Sequence, residues 1–181
     1  MPRLLGQRVM LREYKAEDIH EIRKWVNDGE ATRYLSTRFW PPQTMVDSEE
    51  FLGRMLQSGH NAYNFVIASL QDEAYLGQMD MFRVDWRLRC GELGMVIASR
   101  ENRGKGLGQE ALALMKRFAF LTLGLERLEL EVHMDNAAAR RCYEKAGFLL
   151  EGVKRHAYFN DGRFSDVGVM SVLREEYDGR G

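Results

Sequence analysis

The sequence predicts an α/β fold with a mixed sheet, in one domain over residues 1–181, on three observations. Two helix-like runs, at about 16–27 and 46–57, precede strand-like runs at about 62–69 and 75–84. A strand, helix, strand crossover then fills 90–133, and such a connection implies a parallel pair. The 181 residues are 45% apolar, enough for one well-filled core, and no low-complexity linker or internal repeat divides them.

Each element has a local reason. A strand near 8–14 leads into the first helix, whose Ile19, Ile22, Trp25 and Val26 fall on one face. An irregular stretch at 36–44 holds Phe39, Trp40, Pro41 and Pro42, and Gly59 ends the second helix. The next two strands join through Gln71, Asp72 and Glu73. The run 90–98 becomes apolar towards its end, as a mostly buried strand does. At 109–122, Leu112, Met115, Phe118 and Ala119 make an amphipathic stripe. Arg127–His133 alternates strictly, with Leu128, Leu130 and Val132 on one face and Glu129, Glu131 and His133 on the other. Asp135 or Asn136 caps a helix that runs to about Lys145 and stops at Gly147, and a late hairpin turns at Asn160, Asp161 and Gly162.

The most informative stretch is Arg103, Gly104, Lys105, Gly106, Leu107 and Gly108, between a strand and a helix. Its glycines let a ligand approach the backbone, and the N–H groups of the helix's first turn lack internal partners. With a partial charge of about +0.5 from the helix dipole, and with Arg103 and Lys105, the turn forms an anion cradle. It is no Walker loop, because Gly-x-x-x-x-Gly-Lys-Ser/Thr is absent. Gly106 to Ala111 does fit the dinucleotide pattern Gly-x-Gly-x-x-Ala, with Glu126 further on, although 99–105 intervenes between strand and turn. An NAD(P)-dependent oxidoreductase is therefore an alternative.

The helix after Asn136 carries Asn-x-x-Ala-x-x-x-Tyr-x-x-x-Gly-Phe as Asn136, Ala139, Tyr143, Gly147 and Phe148, and Arg-x-x-Gly-x-Gly precedes it at 103–108. In these two motifs the chain resembles the GNAT superfamily of N-acetyltransferases. Leu-x-Gly-x-Arg-Val-x-Leu-Arg at 4–12, Trp25 to Asp28, and the closing stretches 155–162 and 173–177 are similar to the branch of ribosomal-protein, spermidine and some aminoglycoside acetyltransferases.

The resemblance implies a mostly antiparallel sheet of about six to seven strands flanked by about four helices. It implies acetyl-CoA as co-substrate, with the pantetheine amides on the backbone of Met95, Val96 and Ile97 and the pyrophosphate on residues 103–108, and Asn136 serving both helix cap and pantetheine. An amine then attacks the thioester directly. That attack needs a neutral amine, so a carboxylate base is expected: Glu131 first, Glu92 second. Tyr143 is expected to protonate the leaving thiolate, because an ordinary tyrosine stays a donor at neutral pH. Each has a plainer reading, as a solvated or ion-paired sheet carboxylate and as a core aromatic.

The acceptor is left open between a small-molecule amine and a peptide α-amino group. Phe39, Trp40, Tyr158 and Phe159 can wall a pocket, and Asp28, Glu30, Glu49, Asp80 or Glu92 can hold a cation. Cys142 fits a small buried helix residue better than a nucleophile. With Cys90 distant and His20, His60, His133 and His156 scattered, no metal is expected. The balance of 26 Lys and Arg against 27 acids gives no basic field for nucleic acid, and no long apolar run suggests a membrane. A cytoplasmic protein follows, with a homodimer left open and a non-catalytic acyl-CoA-binding module as the other alternative.

Overall fold

The computed structural model describes residues 3–57 and 63–177, so Gly59 and the strand start at Ala62 lie outside the described residues. Strands β1 (Leu4–Leu5), β2 (Val9–Arg12), β3 (Tyr63–Ser69), β4 (Tyr75–Asp85), β5 (Cys90–Ile97), β6 (Arg127–His133), β7 (Leu149–Asn160) and β8 (Arg163–Leu173) form one sheet in the order β1-β2-β3-β4-β5-β6-β8-β7. Every neighbouring pair is antiparallel except β5 with β6. The helices are α1 (Ile19–Trp25), α2 (Gly29–Thr32), α3 (Met45–Leu56), α4 (Leu107–Arg117) and α5 (Ala137–Lys145).

The sheet is covered on both faces, which explains β3. Phe65 and Ile67 join one buried cluster with Leu112, Met115 and Phe118 of the α4 region, while Val66 and Ala68 join another with Ile22 and Trp25 of α1 and Leu52 of α3. A strand between two cores reads as continuously apolar rather than alternating.

Among the described residues, eight strands and five α-helices exceed the expected count, for two local reasons. Leu4–Leu5 is too short to show a period and exists through its pairing with Leu11 and Met10. The expected helix at 16–27 breaks: a 3₁₀ turn at Ala16–Asp18 precedes α1, and Asp28 then caps α2 by accepting from the Glu30 N–H at 2.9 Å. The helix expected at 109–122 starts earlier, so Leu107 and Gly108 form its first turn, and it ends in a π-turn at Phe118–Thr122. The hairpin turn lies at the expected place. Asp161 and Gly162 both have positive φ, 49° and 76°, the conformation that suits a two-residue connection between twisted strands. Upstream, β7 leaves its ladder between Lys154 and Tyr158, where His156 takes φ 51° and its N–H donates to the Asp166 carboxylate.

Two polar devices fix the amino-terminal strands. Arg12 and Asp18, only 2% and 3% exposed, form a two-toothed ion pair at 2.8 and 2.9 Å. Glu110, in the first turn of α4, accepts from the backbone N–H groups of Gln7, Arg8 and Val9 through one carboxylate oxygen. A Cβ on Gly6 would stand 2.5 Å from that oxygen, so glycine is required there. Burial raises this carboxyl's pKa, but the three N–H groups and Arg8 outweigh it and hold the group below its ordinary value.

Asp18→Asn should leave the buried Arg12 guanidinium without its counter-charge and cost about 3–5 kcal/mol in urea unfolding. A loss below about 1 kcal/mol would mean that the Arg12 bonds to backbone carbonyls suffice alone.

Candidate active site

The parallel ladder between β5 and β6 lasts only three residue pairs, Cys90 with Arg127, Gly91 with Leu128 and Glu92 with Glu129. Beyond it, β5 continues to Ile97 paired only with β4, and β6 continues to His133 paired only with β8. The strands part, and among the described residues the facing edges of residues 93–96 and 130–133 have no strand partner across the gap. Gly91 lets the last paired segment close tightly, since a Cβ there would meet Met81 Sδ at 2.4 Å. A bulge in β4 between Met81 and Arg83 lies opposite Glu92 and Leu93, where the parting begins, and adds local twist.

Alternation sorts the side chains. Leu128, Leu130 and Val132 are buried towards α4 and α5, leaving Glu129, Glu131 and His133 on the opposite face, which Glu92 shares. Glu92 stands at the last paired position, 3.6 Å from Arg83. Glu131 is half exposed and ion-paired with Lys154 of β7, and Glu129 is bonded to Arg127 at 3.0 Å. The plain reading of a paired sheet carboxylate thus fits Glu131 more closely than Glu92.

The glycine turn lies at the open end of the cleft. Gly104 and Gly106 have φ of 74° and 80°, and Gly106 is the N-cap of α4. A Cβ on Gly108 would come within 2.9 Å of the Met95 side chain, so this glycine seats the helix end on β5. Arg103 is a brace: it donates to the carbonyls of Ile97 at 3.2 Å and Ala98 at 3.0 Å, and faces Glu30 at 3.6 Å. The Ile97 carbonyl is thereby occupied, while Val96 turns its side chain into the α1 and α3 core. Lys105 is exposed.

A further cation stands at this turn. Arg8 donates to Glu110 at 3.0 Å and to the Lys105 carbonyl at 2.9 Å, and its Nη2 lies 3.3 Å from where a Gly106 Cβ would be. The residue belongs to the 4–12 motif, but its contact with the turn spans about a hundred positions, and no local pattern marks it.

On α5, Asn136 caps the helix by accepting from the Ala139 N–H at 3.1 Å. Tyr143 is buried in the core, its ring edge-on to Phe148 at 6.0 Å, and no described residue hydrogen-bonds its hydroxyl. Burial raises its pKa, which keeps it protonated at neutral pH. Cys142 is partly buried near Gly108, and burial pushes its thiol up as well, which disfavours a thiolate nucleophile.

Of the four aromatic residues expected to share a pocket, only two meet. Trp40 donates to the Tyr158 hydroxyl at 3.3 Å, and that hydroxyl donates to the Leu35 carbonyl at 3.2 Å. Phe39 packs on Trp25 and Phe159 on Phe164. Among the acids, Asp28 is used as a cap, Glu30 faces Arg100 and Arg103, and Glu49 is exposed. His133, absent from the expected site, lies against Tyr158 with ring centroids 4.2 Å apart, and its Nδ1 is buried without a partner. Burial lowers its pKa against the pull of Asp135 and Glu131. Asp80 is the other change. It pairs in register with Gly94 just past the parting, and burial pushes its carboxyl up to about 7, against hydrogen bonds from Gln78 at 3.1 Å and Tyr14 at 3.5 Å. Among the described residues no group of three or more His, Cys, Asp or Glu is placed to hold a metal ion.

A strand pair that parts after three residues, a glycine turn at its mouth and a tyrosine-bearing helix beyond define an acyl-CoA-dependent acetyltransferase. Residues 8–149 match the acetyltransferase (GNAT) domain family, and the chain belongs to that family of N-acetyltransferases. Its relatives include the spermidine N(1)-acetyltransferase of Escherichia coli K12, 26% identical over 93% of this chain and 88% of that protein. An uncharacterized N-acetyltransferase, p20, of Bacillus licheniformis is 27% identical over 99% of this chain and 100% of its own length. In fold, the chain is similar to a GNAT-family acetyltransferase from Bacillus anthracis, with TM-score 0.83, 18% identity and coverage of 96% of this chain and 99% of that one. It is also similar to the spermidine N-acetyltransferase of Vibrio cholerae solved with CoA and spermine, with TM-score 0.80, 24% identity and coverage of 93% and 97%.

Gly106→Glu should abolish acetyl-CoA binding in calorimetry, because it places a strained side chain and a negative charge in the turn; unchanged affinity would move the site elsewhere. Asp80 gives a pH test. Its folded-state pKa of about 7 is above the ordinary carboxylate value, so its stabilising effect is present at low pH and is lost as pH rises through that window. Asp80→Asn should therefore gain on wild type between pH 5 and pH 8 by about 1–3 kcal/mol, discounted for water that still reaches the group. A pH-independent difference in urea unfolding would remove the burial argument.

Proposed function

We propose that this N-acetyltransferase acylates a small aliphatic primary amine, of the polyamine kind, with both substrates bound together. One observation carries the reading: the cleft opened by β5 and β6 has carboxylates on one face and the glycine turn at its mouth. The carboxylate face suits a cationic acceptor, and the spermidine acetyltransferases among the relatives support the same chemistry. The two unpaired cysteines suit a cytoplasmic place of action.

Acetyl-CoA supplies an activated acyl group as its thioester. The open edge of β5 at Met95 and Val96 offers backbone groups to the pantetheine amides, with Ile97 contributing less because its carbonyl is taken. Gly104, Lys105, Gly106, Leu107 and Gly108 receive the pyrophosphate. Arg103 holds that turn against the strand, and Asn136 orders the start of α5 beside the pantetheine. Glu92 takes first place as the base that removes the amine proton, ahead of Glu131, because Glu131 is engaged by Lys154. Tyr143, kept protonated by burial, returns a proton to the leaving sulfur.

Calorimetry with acetyl-CoA, with NADPH in parallel, should show saturable binding of acetyl-CoA alone; preferential NADPH binding would overturn the reading. Thiol release should then be seen with spermidine and be weaker with an aminoglycoside or an alanine-initiated peptide. Binding without release across that panel would mark a silent acyl-CoA module. Sedimentation velocity of the same preparation tests the homodimer. Tyr143→Phe should lower kcat by about 100-fold with acetyl-CoA affinity nearly unchanged. Glu92→Gln should flatten the acidic limb of the pH–rate profile, and an intact limb would pass the role to Glu131.

A further inference from the structure

The geometry points to Arg8, on the amino-terminal strand, as a direct ligand of the donor's phosphates, completing the α4 turn from outside the glycine motif. The inference rests on the acetyl-CoA reading of that turn. A phosphate at the turn needs positive charge, and Arg103 has two guanidinium nitrogens on strand carbonyls with the third facing Glu30. Arg8 is differently placed. Its Nε donates to Glu110 and its Nη1 to the Lys105 carbonyl, which leaves Nη2 beside Gly106 without a protein acceptor among the described residues. More than half of the side chain is exposed, so that nitrogen is open to an anion.

The guanidinium is also held in place. The Arg8 backbone N–H is one of the three that Glu110 accepts, and Gly6 makes room for that carboxylate. The same oxygen pair fixes both ends of the residue, so the cation is preorganised at the helix terminus before any donor arrives. A planar guanidinium with one free edge suits a phosphate oxygen better than an ammonium does. Arg8 also compensates Glu110, whose charge would otherwise lie in the helix's first turn close to the bound anion.

The experiment separates contact from compensation. Arg8→Gln should weaken acetyl-CoA binding by about ten-fold in calorimetry, the scale of one charge-assisted hydrogen bond. Binding of acetyl-pantetheine, which has no phosphate, should be unchanged in a protein NMR titration suited to millimolar affinities. The ten-fold loss should persist in a Glu110→Gln background, where the amide oxygen can still accept from the Gln7, Arg8 and Val9 N–H groups. Arg8→Lys should recover only part of it. Equal loss for both donors, no loss for either, or a loss that vanishes with Glu110→Gln would overturn the assignment. Failure of the wild type to bind acetyl-CoA would instead sink the reading of the turn itself.

Discussion

The brevity of the parallel ladder between β5 and β6 is the constraint on which the rest depends. Parallel strands normally continue together and bury their edges, and here a crossover through α4 brings them side by side for three residue pairs only. What prevents further pairing is spread over the neighbours. The β4 bulge twists β5, a full ladder holds β6 to β8, and Gly108 docks α4 at the end of β5 rather than over the gap. Such unpaired backbone is costly in a closed core and tolerable only where solvent or a ligand supplies the missing partners.

Charge is arranged around that opening in two zones. On the sheet face, Glu92, Glu129 and Glu131 meet Arg83, Arg127 and Lys154 in turn, while Asp80 is held by Gln78 and Tyr14 instead. At the mouth, Arg8 of the amino-terminal strand meets the turn that carries Arg103 and Lys105. Glu110 joins the zones mechanically, since its carboxylate ties the first strands to the helix that carries the turn.

Much of the fold is legible in the amino-acid sequence, and the reasons differ by element. β6 was readable to the residue because one face is apolar and the other charged, and α5 because a cap, a stripe and a stop agree. The glycine turn is readable because Gly104 and Gly106 adopt positive φ, which favours glycine. By contrast, the pairing of Leu4–Leu5 and the break before α2 are decided by contacts that leave no period. The raised proton affinity of Asp80 depends on its burial, which outweighs the hydrogen bonds from Gln78 and Tyr14, and the position of Arg8 depends on a helix far along the chain. Arg103 shows the limit of a motif: the spacing singles it out, but its guanidinium is engaged by the Ile97 and Ala98 carbonyls at the end of β5.

The irregular stretch in β7 bears on how the molecule keeps to itself. β7 is one of the two edge strands of the sheet, with Leu149, Leu150 and Val153 on its exposed length. A straight edge of that kind would template the addition of other chains. The departure around His156 divides it into two short pieces, and Lys154 and Arg155 add charge at the bend. A visiting strand would find no continuous register to follow, so this edge strand can keep an apolar surface without seeding open-ended stacking.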